Sequence, residues 1–359
     1  MRNKTNILFI INYLDFGGAG KMLKYVANLC ADNFDNVAIL SLYEKERSKG
    51  VSDKLKFYSL ENDSKGGLLW RLAIIRSLRK KIKEINPDVV CTFVSDACFT
   101  TRVATLGMNV KVVSAERGDP YTLGRVWTAL MKWTYRKSDY CFFQLEKARD
   151  FFGPKVAKKS FVIPNVFVQD AGVTPYYGER KKTIVSAGRF VAEKRYEVLI
   201  EAFAKVHASH PEYSMIIYGE GPFIDKYKQM SDSLGISEYI TYPGYVKGVA
   251  KAVREEGIFV LPSLYEGIPN SLIEALSVGI PCVSTNCTPG GPEFLTKGGK
   301  TGLLVPVNDV DAMSNAILSI IENPDMAAEL SQKGPSILEE LTDVKISKQW
   351  VKSIKQILA

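Results

Sequence analysis

The sequence has 359 residues, of which 46% are hydrophobic and 24% charged. This composition is ordinary for a soluble globular protein, and the length is enough for two domains with separate cores. Its apolar runs are shorter than the roughly 20 residues that cross a bilayer, and the start of the sequence lacks a secretory signal pattern, so we expect a cytoplasmic protein. Six cysteines without a Cys-x-x-Cys pair and only two histidines predict reduced core thiols and no structural metal.

The charge is unevenly distributed along the chain. The net charge is +8, with 28 Lys and Arg against 17 Asp and Glu in residues 1–170, and 19 against 22 in residues 171–359. A basic half followed by a mildly acidic half indicates that one domain meets an anionic surface or substrate. Charge alone leaves nucleic acid and anionic membrane both open as that partner.

Strand signals alternate with helix signals, which predicts α/β units on parallel sheets. The first predicted strand, residues 7–12, leads into a turn that contains Gly17 and Gly18, followed by an amphipathic helix. Glycines between a strand and a helix allow the backbone to approach a phosphate or sugar closely, although a plain tight turn explains them equally well. The turn is not a Walker A loop, because Met22 follows Lys21 where Ser or Thr is required.

Two basic helices with aromatic residues are predicted in the first half, at residues 66–83 and 122–138. Basic amphipathic helices can lie on anionic lipid. The alternative is that they are ordinary helices packed on the sheet with a solvated basic face. Both interpretations can hold for the same helix, since a solvated face remains available to lipid.

The strand predicted at residues 110–115 ends in the polar loop Glu116-Arg117-Gly-Asp119. Loops at strand ends carry chemistry in α/β proteins, so the charged residues of this loop are candidates for a site. A salt bridge between Glu116 and Arg117 within the loop is the structural alternative. The irregular residues 169–182 then mark a domain boundary.

The second half restarts the α/β pattern with a strand that ends in Gly188-Arg189, followed five residues later by Lys194. A planar Arg fork and a Lys point charge suit two phosphates, although isolated residues of these types are more often surface charges. A Gly219-x-Gly221 turn follows the next predicted strand. Tyr245 follows the strand after that.

The most informative stretch contains Leu261-Pro-Ser-Leu-Tyr-Glu266-Gly-Ile-Pro-Asn270-Ser-Leu-Ile-Glu274. It predicts a strand, a loop that carries Glu266, and a helix from about residue 270 to 279 with Glu274 in its first turn. Both carboxylates then face one pocket at the carboxyl end of a strand, where the first helical amides favour an anion. Alternatively, Ser271-x-x-Glu274 is a capping box that requires no ligand.

Together these motifs, in this order, resemble the retaining glycosyltransferases of family 4, which have the GT-B fold. The resemblance implies an α/β chain of two Rossmann-like domains that face each other across a cleft. Residues 1–168 would form an acceptor-binding domain and residues 180–340 a nucleotide-sugar-binding domain. Residues 341–359 would form a C-terminal helix that crosses back to the first domain.

The resemblance also assigns roles to residues. Arg189 and Lys194 would bind the donor diphosphate, Glu274 the ribose hydroxyls and Glu266 the hydroxyls of the transferred sugar. Gly17 and Gly18 would contact the donor phosphate or the acceptor, and no metal or other cofactor is expected. The other residues expected to bind the nucleotide sugar are Gly188, Gly219, Gly221, Tyr245, Gly267, Asn270, Ser271 and Leu272.

One departure from the family concerns the acceptor. Many members have a histidine near residue 116, whereas the first histidine of this chain is His207, so that role cannot be transferred. The pattern Ser-x-Glu116-Arg-x-Asp-Pro is similar to a variant in glycosyltransferases that act on polyprenyl-linked glycans. Glu116 would then face the acceptor hydroxyl or the sugar, as a fourth catalytic candidate beside Arg189, Lys194 and Glu266.

The expected function is retaining transfer of a hexose or N-acetylhexosamine, with UDP favoured over GDP in the donor. The acceptor would be a polyprenyl-diphosphate-linked glycan of capsule, exopolysaccharide or O-antigen assembly, reached from the inner membrane face through the basic half. A catalytically silent GT-B subunit that binds a partner glycosyltransferase is the main alternative. A nucleic-acid-binding protein would need a reader motif that the sequence lacks, and a sugar-nucleotide epimerase fits the motifs less well.

Overall fold

The computed structural model describes residues 5–15, 17–44, 46, 49–60, 67–167 and 172–359. The chain divides into two compact units. The first comprises Met1–Val166 together with Asp343–Ala359, and the second comprises Phe167–Thr342. The predicted boundary segment 169–182 falls at the start of the second unit, and its residues 169–171 lie outside the described residues.

Within the described residues, thirteen strands form two sheets. They are β1 (Asn6–Ile11), β2 (Asn36–Ser41), β3 (Lys56–Ser59), β4 (Val89–Phe93), β5 (Lys111–Ala115), β6 (Tyr140–Phe143), β7 (Ser160–Val162), β8 (Thr183–Ala187), β9 (Ser214–Tyr218), β10 (Ile240–Gly244), β11 (Ile258–Leu261), β12 (Cys282–Thr285) and β13 (Leu303–Val305).

The α-helices cover the faces of these sheets. They are α1 (Gly17–Asn33), α2 (Leu68–Ile85), α3 (Ser95–Ala104), α4 (Arg125–Lys137), α5 (Glu146–Asp150), α6 (Pro154–Ala157), α7 (Tyr196–Ser209), α8 (Ile224–Ser233), α9 (Val249–Val253), α10 (Asn270–Ser277), α11 (Gly291–Leu295), α12 (Val310–Glu322), α13 (Pro324–Lys333), α14 (Leu338–Leu341) and α15 (Asp343–Leu358).

Both sheets are parallel and share one pattern of strand order. The first has the order β3-β2-β1-β4-β5-β6-β7 and the second β10-β9-β8-β11-β12-β13. In each, the chain runs outward to one edge and then returns to the other side of the starting strand, which gives a Rossmann-like topology. The prediction of an α/β chain with two Rossmann-like domains is therefore confirmed.

The inner strands, such as β1 and β4, are buried on both faces, as expected for parallel sheets covered by helices, whereas the outer strands β3, β7 and β10 are partly exposed. In the first sheet, Ile7, Phe9 and Ile11 of β1 pack on one side, and Leu8 and Ile10 pack on the other side with residues of α2 and α3. All six cysteines are buried free thiols, as the sequence predicts. In the described part of the chain, no helix combines the length and the apolar character that crossing a membrane requires.

The last helix, α15, packs in the first unit. Trp350 is 1% exposed, and its ring lies 4.3 Å from that of Phe142 and 6.2 Å from that of Phe93, measured between ring centroids. At the start of the helix the Tyr25 hydroxyl donates to Asp343 at 2.7 Å, and near its end Lys111 donates to a main-chain carbonyl at 2.7 Å. Helix α15 therefore completes the core of the first unit.

One glycine near the start of α1 is required by the packing. A Cβ at Gly20 would lie 2.0 Å from the carbonyl oxygen of Leu14, whereas a Cβ at Gly18 would meet no atom of the described residues within 4 Å. Since α1 begins at Gly17, the glycines at positions 17, 18 and 20 all lie within the first turns of this helix, and the prediction that Gly17 and Gly18 form a turn before it is wrong. Gly20 is thus the position where the helix and the preceding loop come closest.

We expect Gly20→Ala to lower the free energy of unfolding of the first unit by roughly 1–3 kcal/mol, because an added methyl group must displace backbone. Gly18→Ala, on the same helix, is the matched control and should be neutral or stabilising by up to about 1 kcal/mol. All four tryptophans, at positions 70, 127, 133 and 350, lie in the first unit, so tryptophan fluorescence during urea unfolding reports on that unit. Equal stability of the two variants would contradict the prediction.

Candidate active site

The carboxyl edge of the second sheet brings distant parts of the sequence together. Strands β8 and β11 are neighbours, and the chain leaves them toward opposite edges of the sheet. Such a topological switch point leaves a crevice at the carboxyl ends of the two strands, and open α/β sheets bind ligands there. Arg189 and Lys194 follow β8, and Glu266 follows β11, so the topology places these three candidates at one edge.

Lys194 and Glu266 form an ion pair across this switch point. The Lys194 ammonium contacts Oε1 of Glu266, and the Ser263 hydroxyl donates to the same oxygen at 2.8 Å. The two charged side chains are 14% and 16% exposed. The pair is thus largely removed from water. Opposite charges attract each other more strongly in such a site than they do in water.

Arg189 differs from Lys194 in its surroundings. Its side chain is 77% exposed. The guanidinium lies 3.5 Å from the carboxylate of Glu193, four residues further on. A contact of that length on the surface contributes little. The guanidinium is therefore available to an incoming anion at the edge where the Lys194–Glu266 pair lies.

Close backbone approaches fix the loops around Arg189. Gly219 has φ +151°, and a Cβ there would lie 1.9 Å from the Gly188 carbonyl oxygen; Gly221 has φ +152° and is similarly close to the Phe190 carbonyl. Main-chain hydrogen bonds join Gly188 N–H to Tyr218 at 2.9 Å and Phe190 N–H to Glu220 at 2.8 Å. The predicted Gly-x-Gly turn thus packs directly against the loop that carries Arg189.

The Glu266 loop is held in the same way from its other side. The Glu266 N–H donates to the Thr288 carbonyl at 2.9 Å, and a Cβ at Gly291 would lie 1.5 Å from the carbonyl oxygen of Gly267. Only a residue without a side chain can occupy position 291 with this backbone. The glycine-rich turn after β12 therefore supports the loop that presents Glu266.

The capping-box interpretation of the motif is wrong. Helix α10 begins at Asn270, its N-cap is Pro269, and no side chain caps it. Ser271 is the second helical residue, two positions beyond the N-cap position that a capping serine must occupy. Glu274 is the fifth helical residue, so its predicted place in the first turn is also wrong.

Helix α10 instead presents its first amides to the sheet edge. The first described intrahelical bond runs from the Ile273 N–H to the Pro269 carbonyl at 3.2 Å. The amides of Asn270, Ser271 and Leu272 precede it, and amides at the start of a helix have no partner within the helix. They carry the positive end of the helix dipole, which favours a negatively charged group.

Glu274 joins α10 to the next element. Its Oε2 accepts a hydrogen bond from the N–H of Ala250, near the start of α9, at 3.1 Å. Tyr245 lies in the loop between β10 and α9 and is 72% exposed. The structure thus places Glu274 beside the α9 segment, whereas Tyr245 extends into solvent.

Sequence reasoning did not identify Tyr196, which lies under the Arg189 loop. It is fully buried, and a Cβ at Gly188 would lie 2.9 Å from its hydroxyl oxygen. Burial, with a smaller contribution from the charge of Glu266, raises the pKa of the Tyr196 phenol well above its usual value, so the hydroxyl stays neutral. In the sequence this residue is indistinguishable from any apolar position of an amphipathic helix.

In the first unit, the loop that precedes Gly17 and Gly18 is held by a residue that the sequence did not single out. The carboxylate of Glu44 accepts the N–H groups of Leu14 at 2.7 Å and Asp15 at 3.0 Å. A carboxylate with two backbone donors fixes a loop effectively, because bonds to an ionised acceptor are strong. Glu44 lies just after β2, where a single charged residue gives no distinctive pattern.

Glu116 is buried and fully hydrogen-bonded. It is 3% exposed, and its Oε2 accepts from the Ser95 hydroxyl at 2.7 Å and the Tyr135 hydroxyl at 2.8 Å. Its Oε1 accepts from the N–H groups of Arg117 at 3.0 Å and Gly118 at 2.9 Å. Both carboxylate oxygens therefore bond to neighbouring groups of the first unit. The role of Glu116 toward an acceptor stays a prediction.

The alternative salt bridge between Glu116 and Arg117 is not among the ion pairs of the described residues. The Arg117 guanidinium donates instead to the Ile163 carbonyl at 3.3 Å and to the Asn165 side chain. Burial lowers the pKa of Arg117 to about 9. Arg117 therefore links the end of β5 to the segment after β7.

Two family comparisons cover both units. The glycosyl transferases group 1 family matches residues 177–336, and the glycosyl transferase 4-like family matches residues 11–144. The first match contains all six strands of the second sheet, and the second contains β2 to β6 of the first sheet. The chain belongs to the glycosyltransferases of the GT-B fold.

Individual proteins are similar to this chain along nearly its whole length. A Campylobacter jejuni protein named GalNAc-α-(1→4)-GalNAc-α-(1→3)-diNAcBac-PP-undecaprenol α-1,4-N-acetyl-D-galactosaminyltransferase is 23% identical over 98% of each chain. Among solved structures, the apo lipopolysaccharide outer core galactosyltransferase WaaB has a TM-score of 0.82 at 20% identity, covering 98% of this chain and 99% of its own. HepE of Anabaena, solved in complex with UDP, has a TM-score of 0.79 at 16% identity, covering 98% of this chain and 100% of its own.

We expect the Lys194–Glu266 pair to show strong energetic coupling in a double-mutant cycle built from Lys194→Met and Glu266→Gln. Each single variant leaves a partly buried charge without its counterion, so the coupling energy should be about 1–3 kcal/mol. Urea unfolding followed by circular dichroism measures it.

The exposed pair Lys205–Asp311, with side chains 52% and 78% exposed, is the matched control. Its coupling should be about 0–1 kcal/mol, because water screens surface pairs. A Lys194–Glu266 coupling no larger than that of the control pair would show that the site is open to water.

Proposed function

We propose that this protein is a retaining glycosyltransferase of bacterial surface-polysaccharide assembly that transfers a hexose or N-acetylhexosamine from a UDP-sugar to a polyprenyl-diphosphate-linked glycan. The observation that carries the proposal is the meeting of Lys194 and Glu266 at the switch point of the second sheet, beside the exposed Arg189. Two cations and one carboxylate at one edge match a ligand that joins a diphosphate to a polyhydroxyl ring.

Each charged residue has a distinct part in this reaction. Arg189 and Lys194 bind the diphosphate and offset the negative charge that grows on it as the sugar departs. Their action replaces that of a divalent metal ion, so we expect transfer to persist in a chelator. Glu266 accepts hydrogen bonds from hydroxyls of the transferred sugar, since a carboxylate has several acceptor sites and suits a diol.

The remaining residues complete the donor site. Glu274 accepts from the ribose hydroxyls, and the first amides of α10 donate to the phosphates. Lys194 and Glu266 are already paired without a donor, so binding exchanges their mutual contact for contacts with the two halves of the ligand. Gly188, Gly219 and Gly221 keep the surrounding backbone close enough to enclose the nucleotide.

The choice of donor and acceptor is supported by relatives of this chain. HepE was solved with UDP, which favours UDP over GDP. The C. jejuni relative is named for an undecaprenyl-diphosphate-linked glycan, which favours a polyprenyl-linked acceptor. We propose that Gly17, Gly18 and Glu116 serve the acceptor side, where Glu116 acts through the residues that it holds.

A lipid-linked acceptor requires access to a membrane, and α2 offers a surface for it. One stripe of this helix exposes Leu69, Leu72, Arg76, Lys80 and Lys83, at helical spacings of three and four residues. On α4, Arg125 and Val126 are also exposed. Apolar residues beside basic ones suit the interface of an anionic bilayer. We therefore propose a peripheral location on the inner face of the cell membrane.

We expect UDP at 100 times its dissociation constant to stabilise the protein by about 2.7 kcal/mol, which raises the melting temperature by roughly 2–4 °C per kcal/mol. GDP and ADP should give smaller shifts. Glu274→Ala and Arg189→Ala should lose most of the UDP effect, whereas Glu201→Ala, an exposed residue of α7, should retain it. Scanning calorimetry measures the shifts.

The absence of a shift with every nucleotide would contradict the proposal and favour a catalytically silent subunit. Shifts that are equal in all variants would place the nucleotide elsewhere. A UDP-selective shift lost in Glu274→Ala justifies a screen of UDP-sugars with lipid-linked acceptors.

We expect the protein to float with vesicles that contain phosphatidylglycerol and not with pure phosphatidylcholine vesicles. Replacing Arg76 and Lys80 by Gln should weaken binding roughly 30-fold, at about 1 kcal/mol for each basic residue near the surface. The matched control replaces Lys228 and Lys300, two exposed lysines of the second unit. Equal flotation with neutral and anionic lipid, or equal loss in both variants, would exclude this surface as the membrane contact.

A further inference from the structure

The first sheet has a switch point that corresponds to the one in the second sheet. Strands β1 and β4 are neighbours, and β2 and β3 lie on one side while β5, β6 and β7 lie on the other. In the second sheet the corresponding crevice holds the candidate donor residues. The same physical argument predicts a ligand at the carboxyl ends of β1 and β4.

A polar network spans this second crevice. Asn12, directly after β1, donates from Nδ2 to Oδ2 of Asp96, at the start of α3, at 3.3 Å. Arg71, from the first turn of α2, contacts Oδ1 of the same carboxylate at 2.9 Å, and the two charged side chains are 31% and 28% exposed. The charges of Arg71 and Asp96 offset each other, so the crevice is polar without being strongly positive or negative.

Aromatic rings line the same crevice of the first sheet. Tyr43, after β2, and Trp70, in the first turn of α2, are stacked with ring centroids 5.6 Å apart and planes 22° apart. Tyr13, after β1, lies 5.2 Å from Tyr43. All three rings are partly exposed, so the cluster is not simply an interior packing feature.

These groups have the chemistry that recognises a neutral sugar. One face of a pyranose carries C–H groups, which suit the negative face of an aromatic ring, and its hydroxyls need both donors and acceptors at the rim. A nucleotide or a phosphate would need uncompensated positive charge, which the Arg71–Asp96 pair does not supply. Burial and the charge of Asp96 raise the pKa of Tyr43 to about 12, so its phenol remains a hydrogen-bond donor.

We propose that Tyr13, Tyr43 and Trp70, together with Asn12 and Asp96, form a subsite for one uncharged pyranose ring of the acceptor glycan. The assignment rests on the proposed function for the identity of the ligand as an acceptor. The presence of a sugar site in the first unit can be tested by itself.

The test is saturation-transfer NMR on the full chain with the methyl glycosides of glucose, galactose, N-acetylglucosamine and N-acetylgalactosamine. We expect saturation to pass from the protein to at least one glycoside. Trp70→Ala should weaken that binding about tenfold, and Trp70→Phe, which keeps an aromatic face, should weaken it less.

Two further variants make the result specific. Tyr140→Ala removes a partly exposed tyrosine that is likewise stacked on another ring, Phe161. Tyr140 begins β6, two strands beyond β4 in the sheet, so this variant should leave sugar binding unchanged. Glu266→Gln alters the candidate donor site, so it reports on any glycoside that binds there instead of at the proposed subsite. Thermal melting of each variant shows whether it is folded.

The outcomes separate this inference from the proposed function. No transfer to any glycoside in the wild type, or a signal lost in Glu266→Gln and kept in Trp70→Ala, overturns the subsite. A signal that depends on Trp70 supports it even if no nucleotide stabilises the protein, and in that case only the proposed function fails. If UDP still stabilises the Trp70→Ala variant and this variant no longer binds sugar, both the subsite and the proposed function are supported.

Discussion

The ion pair between Lys194 and Glu266 depends on how the second unit pairs its strands and packs its loops. The two residues are 72 positions apart in the sequence and meet because β8 and β11 are neighbours in a parallel sheet. Their loops keep their positions because glycines allow backbones to touch, at Gly219 on one side and Gly291 on the other. A larger residue at either point would separate the loops and, with them, the two charges.

The same topology occurs twice in the chain with different side chains at its switch point. In the second sheet the residues at the edge are charged and suit a diphosphate. In the first they are aromatic and polar with compensated charge, which suits a neutral ring. The fold thus repeats one crevice geometry, and the side chains at the strand ends make the two crevices chemically different.

The sequence predicted the two sheets and the positions of Lys194 and Glu266 at the ends of strands, because alternating strands and helices and residues at strand ends follow local rules. The predictions were wrong or incomplete where contacts between distant parts of the chain determine the local structure. Ser271-x-x-Glu274 has the local pattern of a capping box, but the helix begins two residues earlier than such a box requires, and Glu274 bonds to Ala250 of another helix. Glu44 and Tyr196 act through contacts with distant loops, and such contacts leave no periodic signal in the sequence.

The position of α15 has a consequence for how the protein is made. Trp350 lies beside Phe93 and Phe142 in the core of the first unit, although it follows the whole second unit in the chain. On a ribosome, the second unit therefore has all of its residues before the first can complete its core. The first unit must wait, with apolar surface uncovered, while about 180 further residues are translated, roughly 10–40 s at bacterial elongation rates. An aggregation risk during synthesis thus falls on the unit that starts first and finishes last.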